Sequence, residues 1–522
     1  MLTRLKVSGF KNLVNVDVSF GPFTCVAGAN AVGKSNLFDA IRFLSALADK
    51  PLMDAALSVR DEGGRASDVR SIFHRVGDEY DNEMSFEAEM IVPSEGLDDL
   101  GQRAIASTTF LRYTITLAYQ KDDTFQSLGK LELIKEELTY IKKGDAPKHL
   151  LFKYKPAWFT SAVTGAKFRP YFISTEGEGE NRVIRLHHDA GGARHLTRSG
   201  KEGRRNRSGG RPSSRLAANL PRTVLSATNA AESPTALLAR NEIRSWRLLQ
   251  LEPSSLRKPD DFTSPTTLGT DGAHLAATLY HLASTNGKSE ENRRNNGEGV
   301  SKVYGQVASR LSDLIEDVYE IKIDRDERRQ SLTLLVTGRD GTSHPARALS
   351  DGTLRFLALA VIDLDPEAQG LICLEEPENG IHPDRIPAML SLLQDIATDV
   401  EEPINSDNPL RQVIINTHSP SVVAQVPEDS LLVAELKESI ESGTRFRHAS
   451  FSPLPETWRT KAPEKPSPVL KGKLLAYLNP INPNGSDSDD AVETDPPLKV
   501  RRVMDRPDLQ PLLPFPQTTQ VK

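Results

Sequence analysis

A glycine-rich stretch between an apolar strand and an amphipathic helix has the residue types and spacing to hold phosphate groups. The segment FTCVAGANAVGKSNLFDAIRFL runs from Phe23 to Leu44 and contains the pattern G-x-x-x-x-G-K-S. In such a loop the backbone N–H groups turn towards phosphate oxygens, and the helix N-terminus adds partial positive charge. The alternative is a chance match in a glycine-rich turn, which the flanking strand and helix patterns disfavour.

Each residue type in this phosphate loop suits one task. Gly28 and Gly33 supply backbone conformations that a side chain would obstruct. Lys34 reaches the β- and γ-phosphates, and Ser35 offers a hydroxyl to Mg²⁺. The predicted nucleotide-binding residues of this segment are Gly28, Asn30, Gly33, Lys34, Ser35 and Asn36.

Two later segments could complete a phosphoryl-transfer site. In LICLEEPENGIHP, an apolar strand over 371–374 delivers Glu375 and Glu376 at its end. Glu375 could hold Mg²⁺ through its water shell, and Glu376 could polarise an attacking water. In VIINTHSP, His418 ends another apolar strand, where it could hydrogen-bond the γ-phosphate or the attacking water.

The segment LSDGT, residues 349–353, precedes a helical run, so Ser350 and Gly352 lie where a helix N-terminus presents N–H groups to phosphate. Taken singly, these patterns are weak evidence, because paired acids at a strand end are often exposed to solvent without a function and the sequence Thr-His-Ser is common.

The order in which the motifs follow one another along the chain is what indicates a phosphoryl-transfer site. Phosphoryl transfer needs mainly positioning and charge neutralisation, which these groups supply.

The elements that position these groups predict an α/β protein. Alternating apolar residues predict two strands within 2–20 and an antiparallel sheet beside the site. The further predicted strands are 84–92, 109–119, 131–141, 320–324 and 331–336. Helical periodicity covers 223–250, 271–284 and 302–318.

The expected organisation has four parts. The first part of the nucleotide-binding unit, residues 1–150, carries the phosphate loop and an antiparallel β lobe. An inserted region with helices spans 151–330, and the second part of the unit, 331–440, carries the later motifs. A proline-rich tail, 441–522, is expected to be largely irregular, because thirteen of the 34 prolines lie after Ser452.

The overall charge of the chain does not indicate nucleic-acid binding, because 65 basic and 71 acidic residues leave a net charge of −6. Residues 194–215 are a local exception, with eight basic residues against one acid. They predict a flexible basic loop, which is either a solvated insert or a contact to the DNA backbone. Residues 285–300 are polar and predict a disordered loop.

Several classes of protein are disfavoured. The two cysteines, Cys25 and Cys373, lie in apolar strands and predict buried thiols rather than disulfides. No apolar run is long enough to span a bilayer, and the N-terminus reads as a strand rather than a signal peptide. We therefore expect a cytoplasmic protein without membrane contact.

Only residues 469–478 of the tail have a helical pattern, and 484–497 are acidic and polar. The apolar cluster at 509–515 is either a partner-binding peptide or a segment that packs on its own domain. No nuclease pattern is found after Glu435, because Asp487, Asp489 and Asp490 lie in a polar stretch that does not read as a strand.

The motif set LKVSGFKNL, GANAVGKS, LSDGTLRFLAL, LEEPENGIHP and INTHSP resembles the P-loop ATPase heads of the ATP-binding-cassette type, in their RecF/SMC-like branch. More closely it resembles the OLD-like, AAA-type prokaryotic ATPases, known partly from anti-phage defence, but without their TOPRIM nuclease domain. The resemblance covers about residues 1–435. It implies ATP and Mg²⁺ as ligands and ATP hydrolysis as the activity.

The resemblance further implies that the LSDGT segment of one subunit closes onto the ATP of another, in a head-to-head homodimer or a higher homo-oligomer. The expected output is control of a separate effector or a DNA-bound complex. Anti-phage defence is the leading context. DNA repair of the RecF type is one alternative, and an ATP-dependent sensor or scaffold with little turnover is another.

The chain departs from the family pattern at two positions: Glu375 replaces the usual Asp, and Asp351 replaces the Gly of transporters. Both variants suit this branch. The glutamine loop is not evident, and SIFHRVG, with His74 or Arg75, is the candidate for its place. No long heptad run separates the motifs, which disfavours a coiled-coil arm.

Lys34→Ala is expected to abolish ATP binding, because it removes the cation that faces the β- and γ-phosphates. Equilibrium binding of a fluorescent ATP analogue measures the effect, and Lys50→Ala, outside the motif, is the matched control. Parental affinity in the Lys34 variant would contradict the assignment of the phosphate loop.

Overall fold

The computed structural model describes most of the chain. The described residues are 1–59, 68–121, 129–165, 171–189, 212–286, 298–441, 443–462, 467–470, Gly472, Leu474, Leu478 and 502–506. Most of the predicted basic loop (194–211), the centre of the predicted polar loop (287–297) and the tail segments 484–497 and 509–515 lie outside the described residues.

Consecutive strands dominate the chain before α4 (Pro234–Arg244), and strands and helices alternate more regularly after it. The strands are β1 (Leu2–Ser8), β2 (Val16–Ser19), β3 (Phe23–Ala27), β4 (Arg75–Val76), β5 (Glu79–Tyr80), β6 (Glu83–Ile91), β7 (Glu95–Leu97), β8 (Arg103–Ile105), β9 (Phe110–Gln120), β10 (Lys130–Tyr140), β11 (Tyr171–Glu176), β12 (Val183–Leu186), β13 (Ser213–Leu216), β14 (Arg247–Leu249), β15 (Asp260–Asp261), β16 (Val318–Asp326), β17 (Ser331–Gly338), β18 (Ser343–Pro345), β19 (Gly370–Glu375), β20 (Arg411–Thr417), β21 (Leu431–Glu441) and β22 (Thr444–Pro453). The helices are α1 (Lys34–Leu47), α2 (Leu52–Leu57), α3 (Pro156–Ala162), α4 (Pro234–Arg244), α5 (Pro253–Leu256), α6 (Leu275–Asn286), α7 (Glu298–Ser312), α8 (Asp351–Leu364), α9 (Ile386–Ile396) and α10 (Pro420–Gln425).

A six-stranded sheet carries the predicted motifs. Its order is β14-β19-β20-β3-β21-β22, and every neighbouring pair is parallel except the β21–β22 hairpin. Because parallel strands end at the same edge of a sheet, the segments that follow β3, β19 and β20 emerge side by side.

This sheet lies between two apolar cores, and its side chains alternate between them. On β3, Val26 enters the core shared with α1 and α4, whereas Cys25 and Ala27 enter the core shared with α6, α7, α8 and α9. On β19, Cys373 and Leu374 divide in the same way. Burial on both faces explains why these strands read as continuous apolar runs.

An eight-stranded antiparallel sheet packs against the first core. Its order is β13-β12-β11-β10-β9-β6-β1-β2. The predicted N-terminal strand pair and the strands predicted at 84–92, 109–119 and 131–141 are therefore confirmed as neighbours in one antiparallel sheet. A smaller sheet of β15, β17, β16 and β18 contains the predicted strands 320–324 and 331–336.

The region predicted as an insertion, 151–330, contributes to both large sheets. Its strands β11, β12 and β13 extend the eight-stranded sheet, and β14 forms one edge of the six-stranded sheet. This region therefore pairs with the antiparallel lobe through β10 and with the motif-bearing strand β19 through β14.

Two predicted helices had the wrong boundaries. The helix predicted over 223–250 is confined to α4, and residues 247–249 form β14, because parallel pairing with β19 at the sheet edge outweighs helical periodicity. The helix predicted over 302–318 begins at Glu298 and ends at Ser312. Val318 instead starts β16, where pairing with β17 takes over.

The first part of the predicted tail is regular rather than irregular. Residues 444–453 form β22, which pairs with β21 along its whole length. The segment after β22 is held against β2 and β3 by the buried Arg459. Its guanidinium donates hydrogen bonds to the Ser19 carbonyl at 2.9 Å and to Thr24 Oγ1 at 3.1 Å. Of the helix predicted over 469–478, the described residues Gly472, Leu474 and Leu478 are helical, whereas Val469 and Leu470 are not.

Among the described residues, no helix combines the length and the apolar character needed to cross a bilayer.

A buried carboxyl joins the eight-stranded sheet to the segment before α4. Glu136 accepts backbone N–H bonds from Val224 at 2.7 Å and Leu225 at 2.8 Å, and a hydroxyl bond from Tyr113 at 3.1 Å. Burial raises the pKa of Glu136 from 4.5 to about 7, despite these hydrogen bonds.

Glu136 should make stability depend on pH. Between pH 4.5 and about 7 the folded state retains a proton that the unfolded state has lost, so its contribution to the unfolding free energy falls as pH rises through this window. The loss amounts to up to about 3 kcal/mol. In urea unfolding at several pH values, the Glu136→Gln variant should not show this loss of unfolding free energy. The control variant Glu367→Gln, at an exposed position, should show it as the parent does. Parallel pH curves for the parent and Glu136→Gln would contradict the assignment.

Candidate nucleotide-binding site

The phosphate loop leaves β3 and enters α1 through two glycines that no other residue could replace without strain. A Cβ at Gly28 would lie 2.6 Å from the Ala434 carbonyl oxygen. Gly33 has a φ of 105°, and a Cβ there would lie 2.7 Å from the Asn12 side chain. The close approach of neighbours therefore requires glycine at both positions, and at Gly33 the left-handed backbone conformation favours it as well.

Lys34 is the first residue of α1, and its ammonium group folds back into the loop. Nζ donates to the Gly28 carbonyl at 2.7 Å and to the Ala29 carbonyl at 2.8 Å. Burial lowers the pKa of Lys34, and the charges of Glu376, Glu375 and Glu378 oppose this effect. The cation thus lies inside the loop and within electrostatic reach of three carboxyl groups.

The loop is braced from one side by the turn after β1. Asn36 Nδ2 donates to Asn12 Oδ1 at 2.9 Å, and Lys11 Nζ pairs with Asp39 Oδ2 at 2.9 Å. Asn30 and Ser35 are exposed, so the predicted ligand-facing side of the loop is open to solvent.

The paired acids follow β19 as predicted. Glu375 ends the strand opposite Asn416 of β20, whose Nδ2 lies 3.4 Å from Glu375 Oε1. The Glu376 N–H donates to the Asn416 carbonyl at 3.0 Å, and Glu376 has a φ of 46°. This left-handed conformation is strained for a residue with a side chain, and it turns the chain sharply after the strand.

Glu376 and His418 form a direct pair across the ends of β19 and β20. Glu376 Oε1 lies 2.6 Å from His418 Nδ1, and Glu376 Oε2 accepts a bond from Asn379 Nδ2 at 3.0 Å. The structure therefore brings together Lys34, Glu375, Glu376 and His418, which lie far apart in the sequence.

Glu378 is a site residue that the sequence interpretation missed. Its side chain is 8% exposed and bonds to Thr417, the residue before His418. Its position two residues after the paired acids in LEEPENG was a signal. The pattern gave no indication that this third acid would be buried while the second remains partly exposed.

The LSDGT segment begins α8 as predicted. Ser350 is the N-cap, and its Oγ accepts the Thr353 N–H at 3.2 Å. Arg257 holds this end of the helix by donating to the Leu349 carbonyl at 3.0 Å and to Asp351.

The start of α8 packs directly on the turn that follows Glu376. A Cβ at Gly352 would lie 2.1 Å from the Gly380 carbonyl oxygen. Arg355, one turn along α8, donates to the Asn379 carbonyl at 2.9 Å. Since Asn379 also bonds to Glu376, the helix N-terminus and the paired acids are linked by continuous contacts.

Not every predicted site residue joins this cluster. Gly352 packs on the turn at Gly380, and Ser350 bonds to Thr353; none of the hydrogen bonds described for Ser350 reaches Lys34 or Ser35. The glutamine-loop candidates lie beneath the turn after β1. His74 Nδ1 bonds to the Lys11 carbonyl at 2.6 Å, and Arg75 is exposed and bonds to its own turn.

The residues fit a Mg²⁺ ion held jointly with phosphate. No group of three or more His, Cys, Asp or Glu side chains capable of holding a metal ion by itself is found in the described part of the chain. Ser35 and Glu375 offer oxygen ligands, and Mg²⁺ usually combines one or two protein ligands with phosphate oxygens and water. The donor set therefore suits this cation only with a bound nucleotide.

Residues 23–110 and 165–424, more than half of the chain, match the family model described as "AAA domain, putative AbiEii toxin, Type IV TA system". The chain belongs to this family. The matched residues include the phosphate loop, the start of α8, the paired acids and His418. The chain is thus a P-loop ATPase-type protein with a mixed α/β fold.

Among solved structures, three Smc head domains are similar. An Smc head bound to the C-winged helix domain of ScpA has 13% identity and a TM-score of 0.41, over 87% of this chain and 98% of that one. The head derived from Pyrococcus furiosus, bound to the C-terminal domain of ScpA, has 12% identity and a TM-score of 0.37, over 86% and 96%. The Thermotoga maritima head has 10% identity and a TM-score of 0.35, over 87% of this chain and 98% of that one. No curated protein matches the chain.

Gly352→Ala should disturb the contact between α8 and the turn after Glu376, because the added methyl meets the Gly380 carbonyl. We expect a loss of about 1–3 kcal/mol in unfolding free energy and slower ATP turnover. Gly305→Ala is the matched control, since Gly305 is also helical but has no atom within 4 Å of the new Cβ. It should stabilise the chain by up to about 1 kcal/mol. Equal melting temperatures for both variants would contradict the packing argument.

Proposed function

We propose that this chain is an ATP-hydrolysing switch in which two copies share their nucleotides. The observation that carries the proposal is the Glu376–His418 pair at one edge of the six-stranded sheet, in which the Glu376 carboxylate lies within electrostatic reach of Lys34. A cation inside a glycine loop, facing carboxylates at strand ends, is the arrangement that phosphoryl transfer requires.

In the proposed binding step, the triphosphate replaces the loop carbonyls as the partner of Lys34. The N–H groups at the start of α1 face the phosphates, and the helix N-terminus favours their negative charge. Ser35 and Glu375 would hold Mg²⁺, which supplies charge neutralisation at the transferring phosphoryl group when it is bound.

In the proposed hydrolytic step, Glu376 is the general base. A water oxygen forms a bond to the γ-phosphorus, the bond from that phosphorus to the bridging oxygen breaks, and ADP leaves. Glu376 takes the proton of the attacking water. Asn379 orients the Glu376 carboxylate, and His418 bonds to its other oxygen; His418 contacts either the γ-phosphate or the water in this scheme.

The proposed switch uses the start of α8 as the second half of the site. This helix has fourteen residues, so its N-terminus can favour a phosphate of another subunit. Within one copy, Arg355 and Asn379 connect that N-terminus to Glu376. When Ser350 and Gly352 of one copy contact the ATP held by its partner, they would therefore influence Glu376 of their own copy, which acts on the ATP in its own phosphate loop.

The proposed output is control of a separate effector in the cytoplasm, with anti-phage defence as the context. The OLD-like motif resemblance and the toxin–antitoxin wording of the family description support this context. The segment 194–215 is the proposed place for a DNA contact. Turnover measured with and without DNA or a co-purified partner distinguishes a DNA-stimulated repair ATPase from an effector switch.

Glu376→Gln should bind ATP with near-parental affinity but hydrolyse it at least about a hundredfold more slowly, since the amide cannot accept the proton. Steady-state phosphate release measures turnover, and light scattering after size exclusion should show an ATP-dependent dimer. Hydrolysis at the parental rate would show that Glu376 is not the base.

The shared site can be tested separately by mixing two inactive variants, Lys34→Ala and Ser350→Arg. A mixed dimer has one site with an intact phosphate loop from one copy and an intact α8 start from the other. Partial recovery of turnover on mixing is expected. Failure to recover any turnover, with both variants folded and exchanging subunits, would contradict the shared site.

A further inference from the structure

Glu378 has a buried carboxyl group to which the proposed reaction assigns no role. Its Oε1 is hydrogen-bonded to Thr417 Oγ1, and its Oε2 has no hydrogen-bond partner among the described residues. Buried polar atoms are normally paired, so an unpaired one beside a proposed active site calls for a functional explanation.

The Thr417 hydroxyl takes part in two hydrogen bonds. Thr417 Oγ1 also accepts the Ser419 N–H at 2.9 Å. Thr417 donates its one hydroxyl hydrogen to Glu378 Oε1, and a lone pair of the same oxygen accepts from Ser419. Thr417 and Ser419 flank His418, and their joint anchor therefore fixes the backbone on both sides of the histidine.

Glu378 cannot replace Glu376 as the group that meets the attacking water. Only 8% of its surface is exposed, and one oxygen is already occupied by Thr417. The titratable groups within electrostatic reach are Glu376, His418, Lys34 and Cys25. Burial raises the pKa of Glu378, and the charge of Glu376 acts in the same direction.

We propose that Glu378 is a positioning residue of the ATPase site: by accepting the Thr417 hydroxyl it holds the 417–419 segment, and thereby keeps His418 bonded to Glu376. This inference rests on the proposed function, because it assumes that Glu376 and His418 act in hydrolysis. The described hydrogen bonds join Glu378 to Thr417 Oγ1 and Thr417 Oγ1 to the Ser419 N–H, on either side of His418, whose ring bonds to Glu376.

Glu378→Leu tests the inference, because leucine has a similar volume and cannot accept the hydroxyl. Its kcat should fall roughly tenfold to a hundredfold, as expected when a catalytic group is misplaced, while the KM for ATP stays near the parental value. Glu378→Gln retains an acceptor and should restore most of the lost kcat. The exposed Glu367→Leu, elsewhere on the chain, is the matched control.

A double-mutant cycle identifies the route of the effect. Thr417→Val removes the hydroxyl at constant shape, and Thr417→Ser restores it. If Glu378 acts through Thr417, the double variant Glu378→Leu with Thr417→Val should lose no more kcat than the more severe single variant. Losses that multiply would overturn the proposed route.

Three further outcomes would overturn the inference: a Gln variant as slow as the Leu variant, a Leu variant that loses ATP affinity in proportion to kcat, or a Leu variant with parental kcat. If Glu378→Leu does not fold, Thr417→Val and Thr417→Ser make the same comparison, because the first removes the hydroxyl that bonds to Glu378 and the second restores it.

Glu376→Gln, assayed in parallel, separates this inference from the proposed function. If Glu376→Gln hydrolyses ATP normally, the proposed function is wrong. If it is inactive and Glu378→Leu is normal, only the role of Glu378 is wrong.

Discussion

The parallel pairing of β3 with β20, and of β20 with β19, is the constraint on which the site depends. Its register sets Ala27 beside Thr417, and Asn416 beside Glu375. Segments separated by more than 300 residues therefore end at one edge of the sheet. Apolar side chains on both faces hold the three strands between two cores, so the register can shift only if strand side chains leave both cores.

This constraint explains the electrostatics of the site. Strand ends place carboxyl groups around the buried Lys34. Asn416 contacts Glu375, and Thr417 contacts Glu378, so these two acids are each held by a residue of the neighbouring strand. The carboxylates stabilise the ammonium form of Lys34 against the effect of burial, which disfavours it. The close packing of Gly352 on Gly380 then joins this cluster to the start of α8.

Much of the site could be predicted because its motifs are local. The phosphate loop, the acids after β19 and the N-cap at Ser350 each combine a turn or strand end with residues nearby in sequence. The rest depends on long-range pairing, which local patterns do not encode. Residues 247–249 have a helical pattern in the sequence but form a strand, because they pair with β19. Strands β11–β13 join the same sheet as the N-terminal strands β1 and β2. The burial of Glu378 likewise depends on Thr417, 39 residues away.

The central claim is that each ATP lies between the phosphate loop of one copy and the α8 start of another. A structure of the chain with Mg²⁺ and a non-hydrolysable ATP analogue tests it most directly. The account predicts a two-fold symmetric dimer, with every γ-phosphate contacted by Lys34 of one copy and by the Ser350–Gly352 segment of its partner. A nucleotide enclosed by one copy alone, with Ser350 facing solvent, would contradict it.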